Sequence, residues 1–197
     1  MAGPPGTRLE ALPPAVSLLE RSIGFTRVAL MDVTADSLRN PTPCRAWDLA
    51  QLLAHMDDAL DAFAQAGSGA VDLVPLRSSP QVLERIRGKA CALLAAWSQA
   101  DPAAILIGDR ELPAAVLVRA GALEIAVHGW DVGQATGHPR DLPEDLARHL
   151  LPIATDLVED ADRPHRFGPR VAVAEGRGPQ FSASYGAELL GFLGRFA

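Results

Sequence analysis

The stretch from Leu112 to Ala135 constrains this chain most. Val116, Ala120, Leu123, Val127 and Trp130 recur at helical period, Pro113 stands where a helix can begin, and Gly137 with Pro139 beyond it supplies a stop. The spacing predicts a helix from about Pro113 to Thr136, with an apolar stripe that must be buried against neighbours. Three further runs carry the same period. One starts at Pro14 and should end near Val33, with Val16, Leu19 and Ile23 inward. Another has Asp48 as a plausible N-cap and runs through Leu52, Leu53, Met56 and Leu60 to Gly67. The third follows Pro80, with Ile86, Ala90, Leu93 and Trp97 inward, and is closed by Asp101-Pro102.

Apolar residues make up 48% of the chain and aromatics only 5%, with Ala and Leu dominant, which favours closely packed helices over an aromatic-rich β fold. The expected fold is therefore mainly α, a bundle with additions. Leu142-Pro143-Glu144 opens a fifth helix reaching about Asp160, and Glu188 to Arg195 reads as a short last one. Ile105-Leu106-Ile107 before Gly108-Asp109 is read as an extended segment and turn, and Val171-Ala172-Val173 as a short strand. We read residues 1–160 as a bundle and 161–197 as a small C-terminal extension packed on it, one globular unit within 197 residues.

The net charge of −6 offers no basic field for nucleic acid or an anionic membrane, and no apolar run approaches the ~20 residues needed to cross a bilayer. Two cysteines, Cys44 and Cys91, make no disulfide framework, and the N-terminal residues show no charged region followed by a continuous apolar stretch. These features predict a cytoplasmic protein with a small-molecule partner. They leave its oligomeric state open.

Glu124 and His128 are four apart on the predicted long helix, so their side chains leave one face a turn apart and can grip one ion. His55, on the helix that begins near Asp48, can complete the set if the two helices lie side by side. Two imidazoles and a carboxylate form the donor set of catalytic zinc sites, which keep one coordination position open, whereas structural zinc is usually closed by four ligands. Zinc is the first expectation; nickel, iron and manganese accept the same donors. Asp145 and His149 offer a competing pair at the same spacing. Each ligand histidine has an aspartate three residues on, Asp58 after His55 and Asp131 after His128, where a carboxylate can accept the imidazole's other N–H and fix the ring. Cys44 is read as a small buried side chain, with no flanking positive centre except Arg45. Trp47 and Trp130 are read as core aromatics, Arg85 and Arg119 as solvated cations, and His138, His149 and His165 as surface residues.

At TPCRAWDLAQLLAHM (Thr42 to Met56) and LEIAVHGWDVGQATG (Leu123 to Gly137) the chain resembles the mycothiol-dependent maleylpyruvate isomerase-like proteins, a branch of the DinB-like metal-binding bundles. FGPRVAV (Phe167 to Val173) and LLGFLGR (Leu189 to Arg195) resemble the small C-terminal α/β element of that group. The resemblance implies a DinB-like four-helix bundle with additional helices, a metal held by His55, Glu124 and His128, and mycothiol as a cofactor. In the chemistry it implies, a thiol adds to a cis-alkene conjugated with carbonyls, the single bond rotates, and elimination returns the trans-alkene; transferases stop after addition. Ser182 to Glu188 lacks the Asp-Arg pair that such proteins carry just before this tail, so no substrate contact is assigned to the C-terminal element.

Three functions remain open on sequence. The first is a metal-dependent isomerase or transferase that uses a small thiol on an electrophilic small molecule. The second is a thiol-independent hydrolase, isomerase or cyclase of specialised metabolism. The third is a non-catalytic metal-binding bundle.

Overall fold

The Leu112 to Ala135 run forms helix α4 (Ala114–Thr136), and Gly137 ends it in the left-handed region at φ 76°, where a side chain would be strained. His138 N–H then returns to the Gly133 carbonyl at 3.0 Å, satisfying one of the last free carbonyls of the helix. The computed structural model describes residues 14–45, 47–67, 82–99, 104–107, 110–163, 166–172 and 184–195. Three more helices complete a four-helix bundle: α1 (Pro14–Ala29), α2 (Leu49–Gly67) and α3 (Val82–Gln99). Helix α1 lies along α4 and α2 along α3, with further contacts from α2 to α4 and α1 to α3.

Close approach of α1 and α4 depends on small residues. The Thr26 hydroxyl donates to the Ile125 carbonyl at 2.7 Å, and a Cβ on Gly129 would lie 2.2 Å from Thr26 Oγ1 and 2.9 Å from Thr26 Cα. Only glycine lets the backbones meet here. The apolar stripes read from the sequence fill the interior: Leu19 and Ile23 from α1, Leu52 and Leu53 from α2, Leu93 from α3 and Val127 from α4 are all buried.

Asp48 caps α2 through a reciprocal pair, with Gln51 N–H donating to Asp48 Oδ1 at 2.9 Å and Asp48 N–H to Gln51 Oε1 at 3.0 Å. Helix α1 ends at Ala29, four residues short of Val33, and passes into a 3-10 turn over Leu30–Asp32. The extended segment before α4 is a hairpin, β1 (Ala104–Ile107) antiparallel to β2 (Arg110–Pro113), pairing Ile105 with Leu112. Helix α5 (Glu144–Leu157) ends three residues before Asp160, which starts a 3-10 turn to Asp162.

The last helix, α6 (Tyr185–Phe192), begins three residues before Glu188, because the Ser184 side chain accepts the Ala187 N–H and caps it. It packs on α5. Val171 and Ala172 are irregular, tied to α6 by the Val171 N–H donating to the Gly191 carbonyl at 2.8 Å. Val173, His165, Gly108-Asp109, Asp101-Pro102 and residues 68–81 lie outside the described residues. Among the described residues no helix is long and apolar enough to cross a membrane.

Candidate metal centre

His55 leaves α2 and Glu124 and His128 leave α4 toward one point. Glu124 Oε1 stands 2.6 Å from His55 Nε2 and 3.0 Å from His128 Nε2, and one donor atom of each residue lies within 4.8 Å of the others. Donors in a tetrahedral shell with bonds of ~2.0 Å stand about 3.3 Å apart, so shifts of under about 1 Å would admit an ion. The side chains of His55 and Glu124 are 36% and 33% exposed and that of His128 only 7%, so the point is reached from one side and closed on the other.

The electrostatics favour a cation. Burial pushes the Glu124 carboxyl up, but the charge of His128 and hydrogen bonds from both histidines hold it well below the usual carboxylate range. Burial disfavours a charged His128, yet the Glu124 charge and hydrogen bonds to Asp131 and Cys44 raise its pKa well above the ordinary imidazole value. A proton on His128 thus supplies positive charge beside Glu124 that a divalent ion would supply in its place.

Asp131, fully buried, accepts from His128 Nδ1 at 2.9 Å, which turns Nε2 toward Glu124. Asp58 does not hold His55 in the same way. It is half-buried, and among the described residues it makes no hydrogen bond to the His55 ring. That ring is set instead by Glu124 and by Trp47, whose ring centroid lies 4.6 Å away. The buried aspartate on α2 is Asp57, which points the other way to Arg85 and Lys89 and ties α2 to α3.

One contributor is not visible from local spacing. Arg195, in the turn after α6, is buried and donates from Nε and Nη2 to Asp131 at 2.9 Å each. Its Nη2 also lies 3.2 Å from Cys44 Sγ, so a positive centre beyond the neighbouring Arg45 reaches Cys44 from the far end of the chain. The C-terminal element therefore reaches the centre without the Asp-Arg pair. LLGFLGR was the available signal, since its arginine ends an otherwise apolar run. Cys44, His128 and Asp131 also gather closely enough to bind an ion. Arg195 already fills that space with its own cation, which leaves the His55, Glu124 and His128 set as the free one.

The remaining candidates lie elsewhere. Asp145 and His149 are exposed, with Asp145 bound to Arg21 at 2.6 Å and to Arg148. Trp130 is core, Arg85 is paired with Asp57, and Arg119 and His138 are exposed.

A mainly helical bundle that presents two histidines and a glutamate from facing helices defines the class. Residues 19–133 match the mycothiol maleylpyruvate isomerase N-terminal domain, and the chain belongs to that family. An uncharacterized protein of Mycobacterium tuberculosis, from each of two strains, is 28% identical over 169 residues, 84% of this chain and 89% of its own length. The crystal structure of a histidine-to-alanine mutant of the mycothiol-dependent maleylpyruvate isomerase is similar in fold, with a TM-score of 0.51 at 17% identity. The alignment covers 70% of this chain and 66% of that one, just under two thirds.

Proposed function

We propose that this chain is a cytoplasmic enzyme that holds one divalent ion, zinc by preference, on His55, Glu124 and His128 and uses a small thiol of the mycothiol type to isomerise or conjugate an electrophilic small molecule. The observation that carries the reading is the meeting of Glu124 Oε1 with both imidazole Nε2 atoms, within a family named for a mycothiol-dependent isomerase. A divalent ion bound there supplies an open position where a thiol or water is held deprotonated. The chain's own residues do the rest. Asp131 accepts from His128 Nδ1, which would leave the Nε2 lone pair to an ion, and Arg195 helps keep Asp131 charged. Trp47 backs the His55 ring at a centroid distance of 4.6 Å. We further infer that the bundle, residues 1–160, and the extension, 161–197, act as one unit, since Arg195 joins the extension to the centre.

Elemental analysis tests this. The purified protein should carry about one divalent ion per chain, His128→Ala and Glu124→Ala should lose it, and Asp145→Ala should keep it. Equal metal content in all of them would remove the proposed centre.

A further inference from the structure

The two histidines of the centre are held by different means. His128 uses both ring nitrogens, Nδ1 on the buried carboxylate of Asp131 at 2.9 Å and Nε2 on Glu124 at 3.0 Å. The residues of α4 around it, Ile125 to Gly133, are all buried, and only 7% of its own side chain is exposed. His55 uses one nitrogen. Its Nε2 meets Glu124 at 2.6 Å, and its Nδ1 makes no hydrogen bond among the described residues. With 36% of its side chain exposed, it stands where solvent reaches the centre.

A ring contact steadies His55 where a carboxylate steadies His128. The Trp47 ring lies 4.6 Å from it, centroid to centroid, with the planes inclined at 36°. Trp47 is itself fixed, since its N–H donates to the Cys44 carbonyl at 2.8 Å and its carbonyl accepts from the Thr42 hydroxyl at 2.8 Å. Such a wall resists movement of the imidazole toward it, but it does not fix rotation of the ring as a hydrogen bond at Nδ1 does. A charge-assisted bond to a buried carboxylate is also the stronger tie. One ring is therefore locked in the interior, and the other rests against a wall near the surface.

We propose that His128 is the anchored ligand of the centre and His55 its exchangeable one, so that a small imidazole-like base arriving from solvent can take the place of the His55 ring. Calling either residue a ligand rests on the function proposed above; the unequal restraint of the two rings does not. The difference follows from where each ring stands. A base replacing the His55 ring enters from the exposed side and finds Glu124 beside it. A base replacing the His128 ring would have to enter a close-packed interior and recover the bond to Asp131. Exchange at the centre is thus expected on the His55 side.

The test has two arms on the full chain. In the first, chelator-treated parent protein is exposed to diethyl pyrocarbonate and the modified histidines are located by mass spectrometry. His55 should react at least about tenfold faster than His128, because freeing His128 means breaking a bond to a buried carboxylate. In the second, zinc affinity is measured by chelator competition for His55→Ala and His128→Ala, with and without millimolar imidazole. Imidazole should restore affinity at least about tenfold in His55→Ala and change it by less than about twofold in His128→Ala. Should His128→Ala fail to fold, the first arm and the rescue of His55→Ala still decide. A parent that takes no zinc, yet is modified faster at His55, sinks the metal reading and leaves the unequal restraint supported. Equal modification of the two histidines, or a zinc-binding parent whose His55→Ala variant gains nothing from imidazole, overturns the proposal.

Discussion

Arg195 and Asp131, 64 residues apart, form a buried pair in which Nε and Nη2 of the arginine each stand 2.9 Å from a different oxygen of the carboxylate. Burial opposes both charges, but each stabilises the other, so the Asp131 pKa lies below and the Arg195 pKa above its ordinary value. Because Asp131 also accepts from His128 Nδ1, the last described residues of the chain bear on the orientation of a proposed metal ligand on α4.

Replacing Arg195 with Met should destabilise the protein by about 3–5 kcal/mol, since it strands a buried carboxylate rather than removing a pair. Urea unfolding measures this. The double variant Arg195→Met with Asp131→Asn should lose less than the sum of its parts. Strict additivity would mean that the two side chains do not act on one another in solution.

Asp131→Asn alone should weaken metal binding by roughly 10–100-fold, because the amide no longer draws the His128 Nδ1 proton as a carboxylate does. Competition with a chelator gives the affinity. An unchanged value would leave His128 oriented by packing alone.

Gly129→Ala should cost about 1–3 kcal/mol, as the new methyl would meet Thr26 Oγ1 and the Thr26 backbone. Helix α4 must then move away from α1, carrying the adjacent His128 with it. Thermal unfolding and metal content should fall together. A variant as stable as the parent would show that the two helices separate without cost.

Lys89 gives a pH dependence of known sign. Burial lowers its pKa, but Asp57 and Asp61 outweigh burial and raise it above 10.5. A raised folded-state pKa means that the contribution is complete below 10.5 and is lost as pH rises through the folded value. Its size should be below about 1 kcal/mol, because the ammonium is partly solvated. Unfolding free energies measured on either side of pH 10.5 should therefore fall more steeply for the parent than for Lys89→Met. Parallel curves would contradict the assignment.

How much of this was legible depended on the range of the interaction. Helix α4 and its stop at Gly137 were plain because apolar period and a glycine in the left-handed region are local signals. Helix α6 was placed too late, because its start depends on one bond from Ser184 to the Ala187 N–H that leaves no periodic trace. Within the centre, the i, i+4 spacing of Glu124 and His128 gave the pair, and only helix packing could bring His55 to it. The contact of Arg195 with Cys44 spans 151 residues, and no window along the sequence contains both. Asp58 and Asp131 have identical spacing from their histidines, yet only Asp131 meets its ring, since Trp47 and Glu124 set the other.

The most direct measurement is the near-ultraviolet spectrum of the cobalt-substituted protein before and after mycothiol is added. With cobalt on His55, Glu124 and His128 and Cys44 held by Arg195, the account predicts no sulfur-to-cobalt charge-transfer band at first. Adding mycothiol should produce one that saturates, with release of a proton, and His55→Ala should not develop it. A spectrum unchanged at saturating mycothiol would contradict the use of a thiol, and a band present before any thiol that disappears in Cys44→Ser would contradict the ligand set itself.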